Sequence, residues 1–108
     1  MSDTIYKTET KEKIKVEEPG MYDVVFINDD ITPMEFVIRV LQKIFHKSID
    51  EANKLTLQIH NEGKGIVGSF VFEVAEQKGI EATMMARTEG FPLQIKIQKE
   101  NNVQWIWL

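Results

Sequence analysis

Apolar and polar positions change rhythm repeatedly along this chain, and each change marks an element. Tyr22-Asp23-Val24-Val25-Phe26-Ile27 is a short run rich in β-formers, predicting a strand that begins at Met21 and is stopped by Asn28-Asp29-Asp30. Phe36, Val37, Val40, Leu41, Ile44 and Phe45 then recur at helical spacing, which predicts a helix to about His46. Thr32 is its expected N-cap, with Pro33 in the first helical position and Glu35 completing a capping box. Ile31 and Phe36 stand at hydrophobic-staple spacing. Ser48 and Glu51 repeat the capping-box spacing and open a second helix. Ala52, Leu55, Thr56 and Ile59 share one face of it, and Asn61-Glu62-Gly63 closes it.

Gly63-Lys64-Gly65 turns the chain into a second strand, from Ile66 to about Phe70. A third helical segment is expected from about Val71 to Glu89, weakened or kinked at Gly79 and ended by Gly90. Leu93, Ile95 and Ile97 alternate with Gln94, Lys96 and Gln98, the pattern of a half-buried strand. The predicted order is β-α-α-β-α-β, an α+β fold with helices on one face of a small antiparallel sheet. Asn101-Asn102 suits a two-residue hairpin turn, so Val103–Leu108 is either an extra edge strand or an apolar tail. Residues 1–20, mostly Lys, Glu, Thr and Asp before Pro19-Gly20, bury too little apolar surface to offset chain entropy and read as a flexible arm. That leaves 21–100 as the core domain and 101–108 as an appendage.

Composition narrows the function. With 108 residues there is room for one domain, and 43% hydrophobic with 28% charged residues is an ordinary soluble balance. The chain has no cysteine, which excludes disulfides, thiolate metal sites and a cysteine nucleophile and fits a cytoplasmic setting. A net charge of -4 disfavours binding to a phosphate backbone, so nucleic acid is not an expected partner. The early residues lack the apolar run of a signal peptide, and no stretch approaches the roughly 20 apolar residues of a membrane span. A monomer is the default expectation.

Side chains able to do chemistry gather at Asn28-Asp29-Asp30 and at His60. If the first two helices pack as a hairpin, both places fall at one end of it. The plain alternative is that Asn28 and Asp29 make Asx turns while His60 sits at a helix C-terminus and favours the dipole. Asp29, Asp30 and His60 could together hold a divalent metal in a small hydrolase, although neighbouring turn residues seldom converge as ligands. Gly63-x-Gly65-x-x-Gly68 has dinucleotide-loop spacing but follows a helix, in a chain too short for that fold. Neither a Ser/His/Asp order nor a phosphate loop is present, so a non-enzyme without cofactor or metal is expected. Glu73, Glu76 and Lys78 would form a solvated helix face or a docking surface for a partner, and Met84 and Met85 core or rim.

A longer match overrides the plain alternative. Tyr22-x-Val24-Val25 and Asn28-Asp29-Asp30-Ile31-Thr32-Pro33-Met34-Glu35-Phe36 lead into Val40-Leu41-Gln42-Lys43-Ile44-Phe45-His46-Lys47. Val67-Gly68, Glu73-Val74-Ala75-Glu76-x-Lys78 and Ala86-Arg87-x-x-Gly90-x-Pro92-Leu93 follow in order. This succession closely resembles the signature of the ClpS family. The resemblance implies a fold similar to the C-terminal domain of the ribosomal stalk protein. It also implies an adaptor that binds substrates bearing N-terminal Leu, Phe, Tyr or Trp. Delivery would be to the N-terminal domain of a ClpA-type AAA+ unfoldase and its ClpP peptidase.

By position, the resemblance assigns Asn28, Asp29 and His60 to the substrate α-amine and first peptide group, with Asp30 adding negative potential nearby. It assigns Ile31, Thr32, Met34, Val37, Thr56, Ile59 and Leu93 to the pocket for the first side chain, and Glu73 and Lys78 to unfoldase contact. An α-amine, with a pKa of about 7.7–8.0, is mostly a cation with three donors near neutrality. An amide carbonyl, a carboxylate and a neutral imidazole are suitable acceptors for it. The sequence departs from the family at Thr56, where a methionine usually narrows the pocket against β-branched residues, so Ile or Val could enter or Leu fit less tightly. It departs at Ile31, where an aromatic is frequent. The Val103–Leu108 tail has no family counterpart.

Overall fold

The computed structural model describes residues 20–99 together with 105–106. Its elements are β1 (Met21–Ile27), α1 (Met34–Lys43), α2 (Ile49–Glu62), β2 (Lys64–Val71), α3 (Phe72–Thr88), β3 (Gln94–Lys99) and the short β4 (Trp105–Ile106). All pairings are antiparallel, in the order β2-β1-β3-β4, so this is the α+β fold expected from the sequence. β1 lies between two neighbours, and Asp23 through Phe26 are correspondingly all buried. Asp23 lies opposite Ser69 and Gln98; the Ser69 hydroxyl donates to Oδ1 and the Gln98 amide to Oδ2.

Val24 and Phe26 enter the core with Phe36, Val40 and Leu41 of α1, Ala52 and Ile59 of α2, and Ile97 of β3. Each large side chain so buried stabilises the fold by about 1.5–3 kcal/mol. α3 buries Ala75, Gly79, Ala82 and Ala86, a small-residue stripe that lets the helix lie close to the sheet. A Cβ on Gly79 would already stand 3.6 Å from Ile95 Cγ2. The helix is not broken at Gly79, the weak point expected there: packing on β3 compensates the weak helical propensity.

The ends of the helices separate local from tertiary control. At α2 the capping box forms as expected: Glu51 N–H donates to Ser48 Oγ at 3.2 Å, and Ser48 N–H to Glu51 Oε1 at 3.2 Å. At α1 it does not. Pro33 is the cap residue, no side-chain cap bond forms, and Ile31 is 66% exposed, so the staple is absent too. The competitor is Asp29, whose carboxylate takes both the N–H and the hydroxyl of Thr32. α1 also stops earlier than its apolar pattern, at Lys43, and the chain passes through His46 at a φ of 55°. Lys47 N–H then donates back to the Leu41 carbonyl at 3.0 Å. Phe45 nevertheless remains buried, edge-on to Phe26 with centroids 5.6 Å apart. Trp105 and Ile106 pair with Gln98 and Ile97 at the sheet edge, while the Asn101-Asn102 turn lies outside the described residues. Residues 1–19 are also outside them.

Candidate functional site

β1 runs out at Ile27, and Asn28 N–H donates to the carbonyl of Gly63 at 2.9 Å. Gly63 caps α2 at a φ of 89°, a left-handed conformation open to glycine. This one bond brings the loop after β1 beside the last turn of α2, where His60 lies. Gly65, two residues on, leaves only 2.9 Å between a built Cβ and Ile59 Cγ1, so a side chain there would displace Ile59. The glycines with dinucleotide-loop spacing therefore serve helix termination and close packing.

Between the loop and the α1–α2 pair lies a cavity of about 200 Å³. Its polar lining is Asn28, Asp29, Asp30 and His60; the remainder is Thr32, Met34, Val37, Thr56 and Ile59. The structure thus gathers nine of the eleven residues assigned by resemblance to amine and side-chain recognition. The two others lie apart. Ile31 is 66% exposed on the loop, and Leu93 is 1% exposed within the core cluster that also holds Val37 and Ile59. Leu93 contributes its carbonyl, which accepts from Arg87 at 2.9 Å.

Asp29 organises the loop. Its Oδ1 accepts from Ile31 N–H at 2.8 Å and Thr32 N–H at 2.6 Å, and its Oδ2 from the Thr32 hydroxyl at 2.8 Å. Burial works to raise its pKa, but the Thr32 backbone and hydroxyl bonds, the Ile31 N–H and the charge of Arg87 outweigh it. The carboxyl is held below its ordinary value of 3.8 and is anionic at any physiological pH. Because the folded pKa is depressed, the stabilisation is present above the unfolded value and is lost as pH falls through the folded one. A carboxyl-carbon NMR titration is expected to place the Asp29 midpoint below 3.8. Asp29→Asn should remove that part of the acid sensitivity; a midpoint at or above the ordinary value would refute the arrangement.

Gly63 and Arg87 take part in this geometry without having been assigned to recognition from the sequence. Gly63 acts through a carbonyl, which every residue has, and Arg87 through a field that only the fold brings near Asp29. Among the described residues no group of three or more His, Cys, Asp or Glu could hold a metal ion, and Asp29 is already engaged by three donors. Nor is any described helix long and apolar enough to cross a membrane.

The second surface is arranged differently. Glu73 is exposed near the start of α3. Lys78 is half-buried: its Nζ donates to the Ile44 carbonyl at 2.9 Å and lies 5.3 Å from the Phe70 ring centroid. It thereby caps the C-terminus of α1, as a cation favours.

Residues 17–96 match the family model described as ATP-dependent Clp protease adaptor protein ClpS. The chain belongs to the ClpS family. A ClpS adapter protein of Campylobacter jejuni is 43% identical over 94 residues, covering 87% of this chain and 98% of its own length. One of Gluconobacter oxydans is 48% identical over 83 residues, covering 77% of this chain and 70% of its own. The structure of Agrobacterium tumefaciens ClpS2 bound to L-phenylalaninamide superposes with a TM-score of 0.74 at 36% identity, over 77% of this chain and all of that one. The chain is therefore of a family of adaptors of the Clp protease.

Proposed function

We propose that this ClpS protein captures substrates by a free N-terminal Leu, Phe, Tyr or Trp and delivers them to a ClpA-type unfoldase for degradation by ClpAP. The observation that carries the reading is the cavity's division into a polar rim and an apolar interior. Asp30 and His60 are exposed, Asn28 and Asp29 half-buried, while Val37, Thr56 and Ile59 are buried. An α-ammonium at the rim meets an anionic Asp29, the Asn28 carbonyl oxygen and the His60 imidazole, with Asp30 supplying further negative potential. Charge-assisted hydrogen bonds of this kind contribute about 1.5–3 kcal/mol each, and burying a Leu or Phe side chain between Met34, Val37 and Ile59 a similar amount. After association costs, micromolar binding, about -8 kcal/mol, follows.

L-phenylalaninamide, the ligand of the Agrobacterium ClpS2 structure, pairs a free α-amine with an aromatic side chain, which is the chemistry this reading requires. Glu73 and Lys78 serve in unfoldase contact. Lys78 combines that role with its bond to Ile44, an ammonium having three donors. The protein acts in the cytoplasm as a monomer, without cofactor.

The test is fluorescence polarisation with labelled peptides that begin with Leu, Phe, Tyr, Trp, Ile, Val or Ala, and with acetyl-Leu. Micromolar binding of the bulky termini is expected to vanish on acetylation, which removes both the charge and two of the donors. Equal affinity for free and acetylated peptides would end the proposal. The Ile and Val peptides report whether Thr56 has widened the pocket.

A further inference from the structure

Thr56 is 2% exposed, and its hydroxyl is the one buried side-chain polar atom without a hydrogen-bond partner among the described residues. A helical threonine ordinarily returns its hydroxyl to the carbonyl one turn back, and a buried group with no partner is costly. Here that bond is not made, and the residue lines the cavity. Thr56 shares the lining with the apolar Met34, Val37 and Ile59, and its hydroxyl is an unpartnered polar point buried in the cavity wall, reached by a ligand that displaces the side chains covering it.

Depth decides what could meet it. His60, exposed at the rim, follows Thr56 by one helical turn, a rise of about 6 Å along α2. That is comparable with the reach of an aromatic side chain from its own α-carbon. A ligand whose α-amine is held near His60 and Asp29 would carry the far end of an aromatic ring towards Thr56. Leu and Phe present only carbon there, whereas Tyr presents a hydroxyl able both to donate and to accept.

We propose that Thr56 Oγ1 hydrogen-bonds the phenolic hydroxyl of an N-terminal tyrosine, making the pocket selective for Tyr over Phe. The inference rests on the capture of free N-termini proposed above and names the substrate that this particular pocket fits best. A site with a hydrogen-bonding group aimed at a substrate hydroxyl discriminates against the analogue that leaves it unpaired.

The experiment compares two peptides identical except for N-terminal Tyr or Phe on the wild type, Thr56→Val and Thr56→Ser. Valine keeps the branched shape without the hydroxyl; serine keeps the hydroxyl without the methyl. The wild type is expected to prefer Tyr by about fivefold, the value of one neutral hydrogen bond. Thr56→Val should abolish or reverse that preference, and Thr56→Ser should retain it. Without ligand, Thr56→Val should also melt at a higher temperature, because the unpartnered hydroxyl is gone. A Tyr-to-Phe ratio that is the same in the wild type and Thr56→Val would overturn the inference while leaving terminus capture standing. Failure of both peptides to bind any of the three proteins would overturn the capture reading and this inference with it.

Discussion

Asp29→Ala is expected to weaken binding of a Phe-initiated peptide by about 100-fold or more, the largest loss from any single change at the rim. One charge-assisted bond to the substrate amine contributes about 1.5–3 kcal/mol, equivalent to about 10- to 150-fold in affinity. Alanine removes that bond and also the acceptor for Ile31 N–H, Thr32 N–H and the Thr32 hydroxyl. The loop between β1 and α1 then loses its anchor, and Thr32, itself part of the cavity lining, loses its position. Part of any substrate's binding energy must be spent on reordering the loop, which places the loss towards the upper end. Fluorescence polarisation measures it, and amide exchange at Ile31 and Thr32, expected to accelerate, reports the loop independently. A loss of less than about threefold, below the value of even one such bond, would show that the carboxylate takes no part in binding. Asp29→Asn leaves one amide oxygen for the Ile31 and Thr32 N–H groups, but it removes the charge together with the acceptor of the Thr32 hydroxyl, so it should fall between the wild type and Asp29→Ala.

Phe26→Ala carries the largest expected effect on stability, about 3–5 kcal/mol. Phe26 is 0% exposed in β1, opposite Gly65 on one neighbouring strand and Ile95 on the other. Its ring packs edge-on against Phe45 at an interplanar angle of 79°. Gly65 has no side chain with which to fill the space the ring would leave. Domains of this size are stable by about 5–15 kcal/mol, so the variant should fall close to the threshold of folding at 37 °C. Urea denaturation followed by circular dichroism measures the change; a loss below about 1 kcal/mol would mean that the core repacks around the site. Phe26 also lies two residues before Asn28, so partial loosening of this strand should lower peptide affinity before the protein unfolds. That result would couple the core to the proposed binding site through the end of β1.

Much of this architecture was legible in the chain. Short apolar runs, one alternating segment and three stretches with helical spacing were sufficient for the element order, because period and turn chemistry are local properties. The Ser48 capping box was legible for the same reason: cap and partner are three residues apart, and nothing outside the helix competes for them. At Thr32 the same spacing misled. Asp29 receives the Thr32 N–H that a capping box would give to the Glu35 carboxylate, and it holds the Thr32 hydroxyl as well, a competition that spacing alone does not reveal. The weak point expected at Gly79 was likewise a local inference, and a tertiary contact, the seating of α3 on Ile95 and Ile97, holds the helix continuous there.

The inventory of the site was carried by residue identity: an Asn-Asp-Asp stop after a strand, a histidine near a helix end, and an ordered resemblance to ClpS. Identity alone could not separate Leu93, drawn wholly into the core, or Ile31, left on the outside of the loop, from the residues that line the cavity. Nor could it show that Asn28 is tied to Gly63, that Arg87 acts on Asp29, or that the Thr56 hydroxyl is buried without a partner. Element type and chemical repertoire follow from interactions between near neighbours along the chain, which a sequence states outright. Burial, the choice among competing hydrogen-bond acceptors and the fields of distant charges depend on which surfaces meet, and only the packed fold decides that.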